Sequence, residues 1–309
     1  MMERKISVIG GGNVGASCAQ YMAEANLGDV MIVDIVEGMP QGKALDLTQA
    51  GPIRGYNCKI EGTNNYKDIK GSDLVIMTAG LARKPGMSRE DLLNMNANIV
   101  KIAATNIKKY APKAYVIVVS NPLDIMTYHM RKITGFPANR VLGQAGVLDS
   151  TRFRAFVAME LGMAPTDVQA MVLGGHGDTM VPLPNYSTIG GVPIKELIPA
   201  KRLKEICQRT RVGGGEIVKL LKTGSAYYAP AAATVQMARS ILLDEKKVLP
   251  CSAYLTGQYG LKDIYIGVPA VLGAKGVEKI IELKLNKTEM KELKTSASKY
   301  KGVLKEIGY

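Results

Sequence analysis

The sequence predicts an α/β fold, a doubly wound parallel sheet with helices on both faces, followed by a second, mixed α+β domain. In the first half of the chain, short β-rich apolar runs alternate with longer segments whose apolar residues have helical spacing. After about residue 143 the pattern changes to short runs among Gly- and Pro-rich connections. We therefore predict domains at residues 1–143 and 144–309.

The first half supplies the parallel strands and the helices that cross between them. The strand candidates are four apolar runs: Lys5 to Ile9, Val30 to Ile35, Leu74 to Met77 and Tyr115 to Val119. The segments Asn13 to Ala25 and Arg89 to Tyr110 are long enough for crossover helices. Parallel strands end at one edge of a sheet, and open α/β sheets bind ligands at that edge.

The second half begins with a helix-like stretch, Asp149 to Leu161, and an apolar run, Val168 to Leu173. A final amphipathic helix is predicted from a stripe of residues spaced three and four apart: Met290, Leu293, Ala297, Tyr300, Leu304 and Ile307. Asn286 and Glu289 have the spacing of a capping box. We interpret the stripe as packing against the body of the domain.

The composition is that of a soluble globular protein, with 47% apolar and 22% charged residues among 309. No uninterrupted apolar stretch approaches the roughly 18 residues that a membrane helix needs, so no membrane association is predicted and the cytoplasm is expected. The four cysteines form no C-x-x-C pair and no short metal-binding spacing. We therefore expect neither a disulfide framework nor a metal site.

The net charge of +13 raises the possibility of a nucleic-acid partner. The excess lysines are spread along helix-like stretches and the last 35 residues, with few aromatic residues between them for base stacking. We interpret this charge as solvating the surface and attracting anionic ligands in general. No nucleic-acid partner is predicted.

A glycine motif, Gly10-Gly11-Gly12-Asn13-Val14-Gly15, lies between the first predicted strand and the first predicted helix. In this context the glycines can turn tightly, admit a pyrophosphate and leave helix N–H groups free to bind it. The spacing G-x-G-x-x-G is by itself weak, because a glycine-rich chain produces it by chance. Its position makes it a strong indication of a Rossmann-type dinucleotide site.

Asp34 closes the second predicted strand, where a carboxylate can accept hydrogen bonds from both hydroxyls of an adenine ribose and repel a 2′-phosphate. NAD is therefore predicted in preference to NADP, the alternative for Asp34 being an ordinary strand-end turn. Val119-Ser120-Asn121-Pro122 reaches the same sheet edge. Asn121 can donate and accept there, or serve only as a turn former.

His176 is the candidate proton-transfer group, because it is one of two histidines and lies in a glycine-flanked loop, Gly174 to Asp178. His129 lies in a helix-like stretch and is interpreted as structural. A carboxylate on one ring nitrogen would fix the tautomer, and Asp149 is the candidate. Asp149 and Arg152 are three residues apart and can face one cleft, although Asp149 also suits a helix N-cap.

Two arginines, Arg83 and Arg89, flank a Pro-Gly turn. Planar guanidinium groups match carboxylate oxygens in pairs, so these two indicate a small dianionic ligand. Hydrolase and kinase sites are not indicated: the G-x-S-x-G and H-E-x-x-H patterns are absent, and the segment Gly38 to Lys43 misses a P-loop by one residue.

Taken together, these motifs resemble the lactate/malate dehydrogenase family, and within it the lactate-dehydrogenase-like malate dehydrogenases. The resemblance covers essentially the whole chain. It is carried by the glycine motif with Asp34 and by five further motifs: ARKPGMSR at 82–89, VSNP at 119–122, LDSTR at 148–152, GGHGD at 174–178 and GSAYYAP at 224–230.

The resemblance implies NAD-dependent interconversion of (S)-malate and oxaloacetate. His176 would take the hydroxyl proton, Asp149 would orient His176, and Arg152 would bind the carboxylate next to the reacting carbon. Arg89 would polarise the carbonyl and Asn121 would hydrogen-bond the substrate. The family also implies cofactor contacts from Asn96, Val119, Ser120 and Asn121.

Arg83 would hold the distal carboxylate, since family members that reduce pyruvate typically carry glutamine there. The family further implies a homo-oligomer, a dimer or a tetramer, and a role in the tricarboxylic acid cycle. A non-catalytic NAD-binding or nucleic-acid-binding protein is the alternative hypothesis, motivated by the glycine motif and the basic charge alone.

Overall fold

The structure is a computed structural model that describes residues 4–81 and 88–309, apart from the side chain of Arg89. The strands of the first half are β1 Lys5–Ile9, β2 Asp29–Val33, β3 Ile60–Thr63, β4 Leu74–Met77, β5 Tyr115–Val118 and β6 Val141–Gly143. The helices between them are α1 Asn13–Glu24, α2 Met39–Arg54, α3 Arg89–Tyr110 and α4 Leu123–Thr134.

The second half contains further helices and a set of antiparallel strands. Its strands are β7 Val168–Gln169, β8 Val172–Leu173, β9 Val181–Pro182, β10 Thr188–Ile189, β11 Val192–Pro193, β12 Lys247–Thr256, β13 Lys262–Gly273 and β14 Gly276–Ile280. Its helices are α5 Gly146–Leu161, α6 Ile194–Leu197, α7 Ala200–Leu221, α8 Tyr228–Leu242 and α9 Lys287–Glu306.

One large sheet crosses both halves. In the described ranges its strand order is β14-β13-β12-β6-β5-β4-β1-β2-β3. Strands β1 to β6 are parallel in the order 3-2-1-4-5-6, which is the Rossmann arrangement, and β12 to β14 extend the sheet antiparallel. The join is the pair Ser252 and Gly143. The predicted fold class is confirmed, whereas the boundary at 143/144 stays a prediction.

Burial explains why these segments form these elements. The parallel strands are apolar on both faces because helices cover both, as in β4, whose four residues are all buried. On α9 the predicted stripe is buried at Leu293, Ala297, Tyr300 and Leu304, and the Asn286 capping box is present. No helix in the described part of the chain is both long and apolar enough to cross a membrane.

Several predicted boundaries were wrong. Strand β2 ends at Val33 instead of residue 35, so Asp34 follows the strand directly. Helix α5 begins at Gly146, which puts Asp149 in its first turn and not at its N-cap. The apolar run 168–173 forms two short strands with different partners, because β7 pairs with β10 and β8 with β9.

Candidate active site

The glycine motif forms a tight turn between β1 and α1. Gly10 has φ +101°, and a Cβ there would lie 2.6 Å from the backbone nitrogen of Ala79. A Cβ on Gly15 would collide with the carbonyl oxygen of Gly10. Gly12, the N-cap of α1, has open space around it and no side chain caps the helix. The turn therefore leaves the N–H groups in the first turn of α1 facing an open space in which a phosphate fits.

Asp34 is bound to this turn through its carboxylate. The Gly11 N–H donates to Oδ2 of Asp34 (2.7 Å), and the Val36 N–H donates to Oδ1 (3.0 Å). Two backbone donors thus fix the direction of the carboxylate beside the glycine turn. The residue types and the space available at this turn fit an adenine dinucleotide.

A cavity of about 480 Å³ extends from the glycine turn to His176. Its size is in the ordinary range for small-molecule sites. Several predicted site residues line it: Gly12, Asn13, Val14, Gly15, Val119, Ser120, Asn121, Arg152 and His176. Its walls also include Thr78, Gly80, Leu81, Gln144, Leu148 and residues of the segment 224–230. The structure therefore brings the glycine motif, the end of β5 and the histidine loop to one cleft.

His176 and Asp149 form a hydrogen-bonded pair at the far end of this cavity. Nδ1 of His176 lies 2.9 Å from Oδ2 of Asp149, whose side chain is 2% exposed. Asp149 is in the first turn of α5, where the helix dipole favours a negative charge. Since Nδ1 is bound to the carboxylate, Nε2 is the ring nitrogen left for a ligand.

Opposing effects act on the pKa of His176. Burial lowers it, but the charge and hydrogen bond of Asp149, helped by the charge of Asp124, outweigh burial and the repulsion from Arg152. The pKa of His176 is therefore raised above the ordinary 6.5. A histidine in this setting can hold a proton near neutral pH and release it.

Arg152 lies on the same side of α5 as Asp149. Its Nη1 is 3.4 Å from Oδ1 of Asp149, and its side chain is only 11% exposed. Gly213 on α7 makes room for this side chain, because a Cβ there would lie 2.5 Å from the Cδ of Arg152. The position of Gly213 had no distinguishing pattern in the sequence. Together these contacts hold a cation at the cavity wall beside His176.

Asn121 and Ser120 follow β5 as predicted, and Asn121 is exposed to the cavity. Ser120 is buried and its hydroxyl donates to the carbonyls of Ala79 (2.5 Å) and Met77 (3.3 Å). Val119 lines the cavity, and its N–H donates to the carbonyl of Met77 (2.8 Å). These bonds fix the segment between the ends of β4 and β5.

Asn96 is placed differently from the expected cofactor contact. Its Oδ1 accepts from the Leu81 N–H (2.7 Å), and its Nδ2 donates to the carbonyls of Leu81 (3.2 Å) and Asn121 (2.8 Å). The side chain is 1% exposed and does not line the cavity. Because three backbone groups occupy its amide, Asn96 supports the main chain of Asn121 from behind the cavity wall.

The two arginines of the predicted dianion site are not placed by the structure. Arg83 lies outside the described residues. Arg89 is the first residue of α3, whose N-cap Ser88 forms a capping box with Asp91, but its side chain also lies outside the described residues. Their proposed roles therefore depend on the sequence.

Side chains around the histidine loop include several that the sequence did not single out. Asp124, Ser252, Ser296 and Tyr300 are hydrogen-bonded to the loop or to one another. The sequence could have indicated Asp124, because this residue follows Asn121 by three positions at the predicted ligand-binding edge of the sheet. Within residues 4–81 and 88–309, no group of three or more His, Cys, Asp or Glu side chains could hold a metal ion.

Comparison with known sequences identifies the family. The sequence model of the lactate/malate dehydrogenase NAD binding domain matches residues 4–143, and that of the family's alpha/beta C-terminal domain matches residues 146–308. The chain belongs to the lactate/malate dehydrogenase family. The predictions of an NAD-dependent oxidoreductase and of NAD as its cofactor are thereby confirmed.

Both malate dehydrogenases and lactate dehydrogenases resemble the chain. Malate dehydrogenase of Roseiflexus sp. strain RS-1 is 59% identical over 96% of each chain. The crystal structure of Cryptosporidium parvum malate dehydrogenase superposes with a TM-score of 0.96 at 47% identity, covering 99% of both chains. That of the lactate dehydrogenase from Cryptosporidium parvum with lactic acid and NAD also gives 0.96, at 46% identity, covering 100% of this chain and 99% of the other. The backbone alone therefore does not distinguish the substrates.

Proposed function

We propose that the chain is an NAD-dependent malate dehydrogenase, which interconverts (S)-malate and oxaloacetate with His176 as the proton acceptor and donor. The observation that carries the proposal is the His176–Asp149 pair with Arg152 at the far end of a cavity that begins at the glycine turn. The identity to proteins named malate dehydrogenase supports the choice of substrate.

The glycine turn and Asp34 would hold the cofactor. The N–H groups at the start of α1 would bind the pyrophosphate, and the Asp34 carboxylate, fixed by Gly11 and Val36, would accept the ribose hydroxyls. Bound NAD supplies the two-electron acceptor for the carbon that is oxidised. Asn121 and Val119 would position the reactive end of the cofactor, with Asn96 supporting Asn121 from behind.

His176 would move the proton. In malate oxidation Nε2 accepts the proton of the hydroxyl, and the resulting imidazolium is stabilised by Asp149 on Nδ1. In the reverse direction the same nitrogen returns the proton to the oxygen of oxaloacetate. Asp149 fixes the tautomer in which Nε2 faces the substrate.

The arginines would bind the two carboxylates and the reacting oxygen. Arg152, held beside His176, would bind the carboxylate next to the reacting carbon, and Arg89 would polarise the carbonyl. Arg83 would bind the distal carboxylate, which pyruvate lacks. We therefore assign the choice of substrate to Arg83.

A steady-state assay tests the proposal. The purified protein is given NADH or NADPH together with oxaloacetate, pyruvate or a branched 2-oxo acid, and kcat/KM is measured for each combination. We expect oxaloacetate with NADH to be the best pair by orders of magnitude. Equal rates with pyruvate would overturn the malate assignment while leaving the family intact. Salt-sensitive nucleic-acid binding without any turnover would favour the alternative hypothesis.

We also propose that the chain forms a homo-oligomer. Large apolar side chains are exposed on two helices, among them Ile53 on α2 (89% exposed) and Leu220 on α7 (74% exposed). Burying such side chains against a second copy removes apolar surface from water. Light scattering coupled to size exclusion should give two or four times the mass of 33.2 kDa, and a monomer would contradict the proposal. The cytoplasmic location and the place in the tricarboxylic acid cycle stay predictions.

A further inference from the structure

The peptide groups on either side of the His176 side chain are both held by side chains from distant helices. The His176 N–H donates to Oδ2 of Asp124 on α4 (2.8 Å), and the His176 carbonyl accepts from the hydroxyl of Tyr300 on α9 (2.8 Å). We call Asp124 and Tyr300 the backbone clamp. Neither side chain lines the cavity, so neither is placed to touch a substrate.

Asp124 is a buried carboxyl group that the proton transfer does not use. It is 2% exposed, and its other oxygen, Oδ1, accepts from the hydroxyl of Ser252 on β12 (2.6 Å). Burial raises the pKa of Asp124 to about 6, against the effect of the hydrogen bonds from Ser252 and His176. Burying a carboxyl group costs free energy unless hydrogen bonds compensate for lost water. The two hydrogen bonds of Asp124 therefore indicate that this residue has a defined role at the histidine loop.

Tyr300 holds the other side of the loop through both its ring and its hydroxyl. The ring occupies the space that a Cβ on Gly175 would need, so Gly175 lies directly against it. Burial raises the pKa of Tyr300, which keeps the hydroxyl protonated and able to donate. The Gly175 N–H also donates to Oγ of Ser296, one turn earlier on α9 (2.9 Å).

We propose that Asp124 and Tyr300 are positioning residues, which fix the main chain of His176 so that its Nε2 keeps a constant direction toward the reacting oxygen. Asp149 fixes the rotation of the imidazole ring, whereas the backbone clamp fixes the position of the His176 Cα, to which the side chain is attached. Displacement of a proton-transfer group by about 1 Å can cost on the order of 100-fold in rate. This proposal rests on the proposed function, because it concerns the same proton transfer.

The first test is Tyr300→Phe, which removes one hydroxyl and keeps the ring against Gly175. We expect kcat with oxaloacetate to fall about tenfold or more, with the KM for NADH unchanged. Tyr265→Phe is the matched control, because the hydroxyl of Tyr265 also donates to a buried backbone carbonyl, that of Val141 (3.1 Å), away from the cavity. The control should lose similar thermal stability and keep its kcat. A Tyr300→Phe enzyme with wild-type kcat would overturn the proposal.

The second test separates the hydrogen bond of Asp124 from its charge. Asp124→Asn retains an oxygen that can accept from the His176 N–H, whereas Asp124→Ala does not. We expect the asparagine variant to recover most of the kcat that the alanine variant loses. An asparagine variant with a kcat below one hundredth of wild type, whether or not the alanine variant folds, would overturn the positioning role of Asp124.

A third measurement is independent of turnover. The chain has two histidines, so histidine-selective ¹⁵N labelling gives two imidazole systems, and a His129→Gln variant assigns them. Among the described residues, the charged groups that face His176 are Asp149 and Arg152 from α5 and Asp124 from α4, with the Tyr300 phenol from α9. Tyr300→Phe removes no charge, so an altered His176 ring signal with an unchanged His129 signal would report the changed position. Unchanged His176 signals would overturn the clamp, whereas a wild-type protein that reduces no 2-oxo acid would overturn the proposed function.

Discussion

Nδ1 of His176 lies 2.9 Å from a carboxylate oxygen of Asp149, and the two residues come from a loop and from the first turn of α5. This bond decides which ring nitrogen carries the proton at rest. It also raises the pKa of His176 above its ordinary value despite burial of the ring. The Asp149 carboxylate therefore affects both the orientation and the proton affinity of the imidazole.

We expect Asp149→Asn to lower kcat by about 10² to 10⁴, because an amide can stabilise the wrong tautomer and carries no charge to stabilise the imidazolium. The measurement is NADH oxidation with saturating oxaloacetate. NADH affinity, followed by fluorescence, should stay within about twofold of wild type, since the glycine turn is untouched. A kcat within threefold of wild type would remove Asp149 from the mechanism.

The raised pKa of His176 predicts the pH dependence of each direction. Reduction of oxaloacetate needs the protonated imidazole, so its kcat/KM should be highest below the pKa of His176 and fall as the pH rises through it. Oxidation of malate needs the neutral imidazole and should show the opposite trend. The midpoint should lie above 6.5 and move down in Asp149→Asn. A wild-type midpoint below that value would contradict the arrangement.

Arg83→Gln should change the substrate preference. Loss of two charge-assisted hydrogen bonds at ~1.5 to 3 kcal/mol each removes at most about 3 to 6 kcal/mol of discrimination, or about two to four decades. We expect the ratio of kcat/KM for oxaloacetate to kcat/KM for pyruvate to decrease by a factor within this range. Arg54→Gln, which alters an exposed arginine paired with Glu24, is the control and should leave the ratio unchanged. An unaltered ratio in Arg83→Gln would show that the distal carboxylate is bound elsewhere.

Gly15→Ala should damage the cofactor site, because the added Cβ collides with the Gly10 carbonyl. We expect a loss of about 1 to 3 kcal/mol in unfolding free energy, or a raised Kd for NADH, as the turn opens to relieve the overlap. Gly42→Ala is the matched control: Gly42 is inside α2, a Cβ there would meet nothing within 4 Å, and the variant should gain about 0.5 to 1 kcal/mol. Equal effects of the two substitutions would contradict the close approach at Gly15.

The sequence predicted the elements whose signals are local. Strand β1 and helix α3 begin and end where the apolar patterns place them, and the predicted capping box at Asn286 is present. His176 stood out because glycines flank it and histidine is scarce. Each of these signals depends on residues within a few positions of one another.

The contacts that the sequence did not predict join residues far apart in the chain. Tyr300 reaches the carbonyl of a residue 124 positions earlier, and Ser252 reaches an aspartate 128 positions away. A tyrosine in an amphipathic stripe looks the same whether its hydroxyl faces water or a buried carbonyl. Asn96 was expected to contact the cofactor, but local sequence does not reveal the backbone groups of Leu81 and Asn121 that occupy its amide.

The pairing of Ser252 with Gly143 makes the parallel and antiparallel strands one continuous sheet, and one apolar core extends from Ile6 on β1 to Leu304 on α9. The first half cannot then lose its packing without exposing part of the second, which also has a smaller apolar cluster of its own around Phe153 and Ile206. The chain should melt as a single unit, with one calorimetric endotherm. The dinucleotide turn and the histidine loop would thus be lost together on heating.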